Sequence, residues 1–180
     1  MCAHQLRLQT QKRLVTECQM FNVLILTKYD VVDEAIIDAE PSVVFQAMSD
    51  EVTGVSKWWM PHWEGKIRDN EKKVQVGSII DIIIHKHGKQ KVAAKCIEMI
   101  ENKYAKFHYF EGAFIGIAEW NFEPINGKTK VRFRWNVVIK YSSLLGKLIL
   151  RFINLGKVHS DVVQHGYRGL NRYVTQKKNQ

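Results

Sequence analysis

Between Lys130 and Lys140 the chain alternates, with Val138 as the one apolar residue on the polar side. Val131, Phe133, Trp135, Val137 and Ile139 fall on one side, and Arg132, Arg134, Asn136 and Lys140 on the other. Successive side chains of a strand point to opposite faces, so this pattern predicts a strand with one buried and one wet face, as antiparallel sheets allow. Residues 118–124 alternate too, with Ala118, Trp120 and Phe122 on one face. Asn126-Gly127 lies between the two runs, and both residues tolerate positive φ, which predicts a hairpin. Upstream, residues 78–85 form an Ile-rich strand, 92–101 its return across a turn at 86–89, and 104–110 an aromatic strand. Residues 31–38, rich in Val and Ile, make a first strand. Glu40-Pro41 then opens a helix with proline at its first position, where the missing N–H costs nothing. Val44, Phe45 and Met48 give that helix its apolar side. A second short helical turn is expected over 53–59, ahead of Pro61.

Residues 142–174 change period and predict one long helix. At about 100° per residue, Lys147, Arg151, Asn154, Lys157, Asp161, His165, Arg168 and Arg172 fall within an arc of about 120°. Leu145, Leu148, Phe152, Val163 and Leu170 fall opposite, with His159 near the middle of the apolar stripe. Gly156 and Gly166 also lie toward the stripe. A glycine inside a helix costs about 1 kcal/mol against alanine, so a bend, or a space left open, is expected there. The order of elements predicts an α+β fold: a curved antiparallel sheet wrapped around a long C-terminal helix, with two short helices after the first strand. The concave side of such a sheet is wider than one helix can fill, so a cavity is expected between them.

With 180 residues and 46% hydrophobic content, the chain can build its own core without disulfides or metals. Cys2, Cys18 and Cys96 are odd in number and match no metal knuckle, which points to free thiols in a reducing, cytoplasmic setting. No apolar run approaches the ~20 residues of a membrane span. Residues 1–19 carry Arg7, Lys12 and Arg13 ahead of the apolar stretch 21–26. That stretch is short and no small-x-small site follows, so residues 1–30 are read as a loose extension, with Met20 as an alternative start. The domain proper is expected over 31–176. The net charge of +9 is uneven: residues 31–139 are neutral, whereas 140–180 carry +7. That argues against a nucleic-acid face across the sheet and localises any attraction to anions on the last helix.

The passage Ile36-Ile37-Asp38-Ala39-Glu40-Pro41-Ser42-Val43-Val44-Phe45, the pair Trp58-Trp59, and the run from His159 to Leu170 together resemble the START-like (SRPBCC) superfamily, in its polyketide cyclase/dehydrase-type branch. The resemblance covers about residues 31–174. It implies a helix-grip fold, wall tryptophans at 58 and 59, and a closing helix with a glycine ahead of Leu170-x-x-Tyr173. Members of the superfamily share a cavity and no common catalytic set.

Several residues could carry chemistry, each with a plainer reading beside it. His159, on the cavity side of the last helix, could exchange a proton with a bound carbonyl or phenol as a catalytic residue. Its plainer reading is a core histidine satisfied by backbone. The expected ligand-binding set is Trp58, Trp59, Trp120, Phe122, Phe133, Trp135, Phe152, Gly156, His159 and Val163; for the large aromatics the plainer reading is core packing. His62 is expected in a solvent-facing loop. Of the adjacent His108 and Tyr109, at most one can point inward. His85 and His87 make an H-x-H pair without a third ligand nearby, more consistent with a solvated turn than a metal site. Cys96 is read as an inert buried thiol. No nucleophile elbow, phosphate loop, dinucleotide fingerprint or zinc motif occurs, so no cofactor is expected. Three readings stay open. One is a container for an apolar or aromatic small molecule. Another is a cyclase or dehydratase using His159. The third is a membrane- or ribosome-associated protein acting through Lys147, Arg151, Lys157, Arg168 and Arg172.

Overall fold

A computed structural model describes residues 25–85, 89–141 and 154–178. The elements run β1 (Ile25–Ile37), α1 (Pro41–Val52), β2 (Trp63–Ile67), β3 (Ile79–Ile84), β4 (Gln90–Ile100), β5 (Tyr104–Gly112), β6 (Phe114–Ile125), β7 (Lys128–Tyr141) and α2 (Leu155–Lys178). The seven strands form one antiparallel sheet in the order β1-β7-β6-β5-β4-β3-β2. Every neighbour is sequential except β1, which returns to pair with β7 along its whole length. The sheet curls around α2, and two register shifts in the β4–β5 pair mark where its ladder is irregular.

The alternation in β6 and β7 decides which face is inside. Trp120 sits opposite Phe133, Ala118 opposite Trp135, and Phe122 opposite Val131, and all six are buried. The other face of the same strands carries a ladder of ion pairs. Arg134 holds Asp30 through two bonds of 2.9 and 2.7 Å, Lys130 and Arg132 meet Glu34, and Lys106 meets Glu119. Each such exposed pair contributes little. Together they pair acids and bases along the outer face of β1, β5, β6 and β7.

Helix α2 lies against β1 and the residue that follows it. The Tyr167 hydroxyl donates to the Asp33 carbonyl at 3.0 Å, the Gln164 amide donates to the Glu34 carbonyl at 3.3 Å, and the Asp38 N–H donates to the Asn171 side chain at 2.7 Å. Near its C-terminal end α2 is tied to α1 through Asp50. That carboxylate accepts from Gln46, Tyr173 and Lys177. Burial pushes the Asp50 carboxyl up, but these three bonds more than reverse the effect and hold it below the usual carboxylate value.

Four features depart from the sequence-based expectation. The first strand starts at Ile25, six residues earlier than expected, because Ile25–Asp30 finds a full ladder on β7. Only one short helix follows it. Gly54, at φ +81°, ends the helical path, and residues 53–62 proceed through turns in place of a second helix. A short strand, β2, was hidden in the Trp63–Ile67 stretch, which has no alternation to reveal it. Finally, 142–174 is not one uninterrupted helix. Asn154 lies outside helical structure and its side chain accepts the Lys157 N–H at 3.0 Å, so α2 begins after an N-cap there. Residues 142–153, including Leu145, Lys147, Leu148, Arg151 and Phe152, lie outside the described residues.

The glycines of α2 have different reasons to be glycine. A Cβ on Gly166 would lie 2.4 Å from the Trp59 indole, and one on Gly169 would lie 1.9 Å from the Trp58 carbonyl oxygen. The space that the sequence marked at Gly166 is therefore filled by Trp59. At Gly156 a Cβ would meet, among the described residues, only Asn154 and Val31, at 3.4 and 3.5 Å. Gly166→Ala and Gly169→Ala are expected to lower stability by about 1–3 kcal/mol. Gly169→Ala should be the worse of the two, because backbone cannot yield as a side chain can. Gly156→Ala is expected to be neutral or to stabilise by up to about 1 kcal/mol through helix propensity. Urea denaturation of the three variants checks the ranking.

Candidate functional site

The concave face of the sheet, α1 and α2 enclose a cavity of about 450 Å³. This lies within the range of about 300–1,000 Å³ in which small-molecule sites fall. Its wall is overwhelmingly apolar. Each lining element contributes through its inward-facing positions: Phe45 and Met48 from α1, Ile80, Ile82 and Ile84 from β3, Ala94 and Met99 from β4, Phe107 and Tyr109 from β5, Ala118, Trp120 and Phe122 from β6, Phe133, Trp135 and Ile139 from β7, and Val158, His159, Val162 and Val163 from α2.

One wall is built by the turn-rich segment after α1. Trp58, Trp59 and Trp63 stack in series, at 5.1 and 4.7 Å between ring centroids, and Trp59 meets the edge of Trp120 at 5.8 Å. Both buried indole N–H groups are satisfied: Trp58 donates to the Ala47 carbonyl of α1 and Trp59 to the Val162 carbonyl of α2. Their backbone N–H groups are held by the carboxylate of Glu51, at 2.7 Å to Trp58 and 3.4 Å to Trp59, and the Ser56 hydroxyl donates to the same group. Burial pushes the Glu51 carboxyl up, and its three donors only partly offset this. Glu51 was not singled out from sequence. Its only local signal is an acidic residue on the last turn of a helix, which most often means solvent.

The polar centre of the opposite wall is His159. Its ring lies flat on Trp135, with centroids 4.2 Å apart and planes 12° apart, and also stacks on Phe133 at 5.6 Å. Nδ1 lies 3.5 Å from Oδ2 of Asp33, a residue of β1 that is itself buried. That distance is too long for a well-formed hydrogen bond, and neither atom has another partner among the described residues. Burial pulls the imidazole below its usual pKa, and Asp33 opposes this without overcoming it. The ring is thus neutral at pH 7. Asp33 went unnoticed in the sequence because a single acid in an Ile/Val-rich strand resembles an outward-facing residue.

The remaining expected site residues divide clearly. Trp58, Trp59, Trp120, Phe122, Phe133, Trp135, His159 and Val163 all line the cavity. Gly156 does not: it sits one turn nearer the helix start, against Val31 of β1. Phe152 lies outside the described residues. Of the neighbours on β5, Tyr109 is the one that points inward; burial pushes its phenol up. His62 is half-buried, its ring 4.6 Å from that of His165, where a loop open to solvent was expected. His85 lies 3.5 Å from Glu64, while His87 is outside the described residues. No group of three metal-binding side chains occurs among the described residues. Cys96 is fully buried, and burial pushes its thiol up to about 11. Lys157, Arg168 and Arg172 are exposed on α2, with Asp161 on the same side. No described helix is long and apolar enough to cross a membrane.

No family model and no curated protein matches this sequence. Solved structures do match. The protein TTHA0849 from Thermus thermophilus is 18% identical with a TM-score of 0.65, over 83% of this chain and 99% of that one. Ara h 8.0201 is 15% identical with a TM-score of 0.55, over 83% of this chain and 99% of its own. The Zhui aromatase/cyclase from Streptomyces sp. R1128 is 10% identical with a TM-score of 0.59, over 82% of this chain and 96% of its own. At these identities the likeness lies in the fold.

Two outcomes follow from the site's electrostatics. The His159 ring should titrate below 6.5, and Asp33→Asn should lower its pKa further by removing the one influence that raises it. Because the folded-state value is depressed, the neutral ring's contribution to stability is present above pH 6.5 and declines as the pH falls below it. NMR titration of the imidazole in both proteins checks the order. Glu51→Ala, which leaves two buried N–H groups without an acceptor, should lower stability by about 2–3 kcal/mol and weaken the near-UV circular dichroism of the tryptophan stack.

Proposed function

The chain has the helix-grip fold of the START-like superfamily, and from that premise we propose that it binds a hydrophobic or aromatic small molecule in the space between sheet and C-terminal helix. The observation that carries this reading is the 450 Å³ cavity, left open although large aromatic side chains already crowd its wall. A core built for stability alone closes such a space, since an apolar void forfeits contacts all around its lining. The flat faces of Trp120, Phe133 and Trp135 suit a planar ring system, and Ile80, Ile82, Ile84 and Met99 suit an aliphatic tail, so a polyketide-like metabolite or a lipid are the ligand classes in view. Ara h 8.0201 and the aromatase/cyclase from Streptomyces share the fold, and the second of them is an enzyme by name.

A second reading, a cyclase or dehydratase acting through His159, is favoured by one observation. A neutral histidine and a carboxylate, each without a full partner, face one another at the cavity wall. Shaping and polarising a bound substrate would then supply the chemistry, with His159 as the proton acceptor. The third reading, contact with an anionic surface through the last helix, rests on Lys157, Arg168 and Arg172 alone among the described residues. At about 1 kcal/mol per charge it would amount to transient docking.

Filling the cavity tests the first reading directly. Ala118 is buried on the lining between Trp135 and Phe107. Ala118→Phe is expected to weaken binding of the apolar dye 1-anilinonaphthalene-8-sulfonate at least tenfold. The far-UV circular dichroism should be retained. A dye affinity equal to that of the original protein would remove the cavity as the binding site.

A further inference from the structure

We propose that His159 is the acceptor for a ligand hydroxyl, so that the cavity prefers aromatic alcohols and phenols to the corresponding ethers and ketones. This rests on the cavity being the ligand site. The geometry assigns the ring proton. Nδ1 faces the buried Asp33 carboxylate at 3.5 Å, and a carboxylate oxygen can only accept, so the proton of a neutral ring belongs on Nδ1. Nε2 is then left with a lone pair. It is hydrogen-bonded to nothing among the described residues, yet it is not among the fully buried unpaired atoms as Nδ1 is, so it keeps accessible surface while the residue lines the cavity. Stacking on Trp135 and Phe133 fixes the plane of the ring.

The other polar groups of the wall are acceptors already engaged by the protein or weaker than a free imidazole nitrogen. The Glu51 carboxylate already receives three hydrogen bonds, and the Ser49 hydroxyl receives the Val74 N–H. Gln90 is exposed at the rim. Tyr109 carries a phenol that burial keeps protonated, so it can donate to any ligand oxygen, ether or hydroxyl alike, and its own oxygen is a weaker acceptor than an imidazole lone pair. Discrimination between a ligand that brings a hydrogen and one that does not therefore falls to His159. An ether or ketone placed against Nε2 leaves a desolvated acceptor without a partner, the situation that sites use to reject analogues.

The test compares 2-naphthol with 2-methoxynaphthalene, each competing with 1-anilinonaphthalene-8-sulfonate for the full chain. The original protein is expected to prefer 2-naphthol by about tenfold. That preference should fall to about unity in His159→Phe. In Asp33→Asn it should weaken, because an amide can donate to Nδ1 as readily as accept from it and so no longer holds the ring proton there. Nitrogen-15 NMR gives a readout that a folding defect would not mimic. Nε2 should show the unprotonated, pyridine-like signal in the free protein and shift on adding 2-naphthol but not its ether. Equal affinities for the two compounds, or a preference for the ether, would overturn the donor specificity while leaving the cavity reading intact. Failure of both compounds to displace the dye would overturn the cavity reading and this proposal with it.

Discussion

The peptide N–H groups of Trp58 and Trp59 point into the protein where no strand or helix can receive them, and a carboxylate answers the problem. Glu51, at the end of α1, accepts both. Taking that carboxylate out of water is costly, and the cost is tolerable only because three donors converge on it. Much else follows. With its backbone so held, the segment can set two indoles between α1 and α2, each donating to a helix carbonyl. Trp59 can then press into α2 at Gly166, and the Trp58 carbonyl against Gly169. The helix is thereby kept at a distance from the sheet set by tryptophans, and the space beside them stays open.

The sequence foretold the parts that rest on local periodicity and little of what rests on irregular backbone. Strand β7 was legible because its alternation is unbroken over the eight residues from Lys130 to Val137 and its partner is one hairpin away. Helix α1 was legible from its proline and its apolar spacing. The second helix expected after it was not realised. There the deciding interactions are a glycine with positive φ and a bond reaching back seven residues from Trp58 to Glu51, and neither has a periodic signature. The start of α2 was missed for a related reason. Asn154 fits the polar arc of a continuous helix as well as it fits a cap, and only the bond to Lys157 decides between them.

Within the site, inward-facing aromatics on β6 and β7 could be assigned from alternation, and His159 from the apolar stripe of α2. What alternation could not show was which residues face one another across the cavity. Asp33 and His159 are 126 positions apart, and they meet because β1 pairs with β7 and α2 lies along β1. The meaning of the glycines also changed with the third dimension. Gly166 marks a space, as a glycine in a helix suggests, but the space is taken by another part of the same protein. The cavity itself lies where Ala94, Ala105 and Ala118 keep the sheet wall thin.

The way α2 closes over β1 has a consequence beyond ligand binding. A rim strand with free carbonyl and amide groups is an adhesive surface, ready to recruit an extended segment from any neighbouring molecule. Adjacent carbonyls of a strand point to opposite sides, so of the Asp33 and Glu34 carbonyls that Tyr167 and Gln164 hold, one lies on that rim, and α2 occupies it with a side chain, which cannot propagate a ladder. The C-terminal helix is therefore also a guard against self-association: a molecule that exposes its interior by letting the helix lift would, in the same movement, bare an edge onto which a second copy could add.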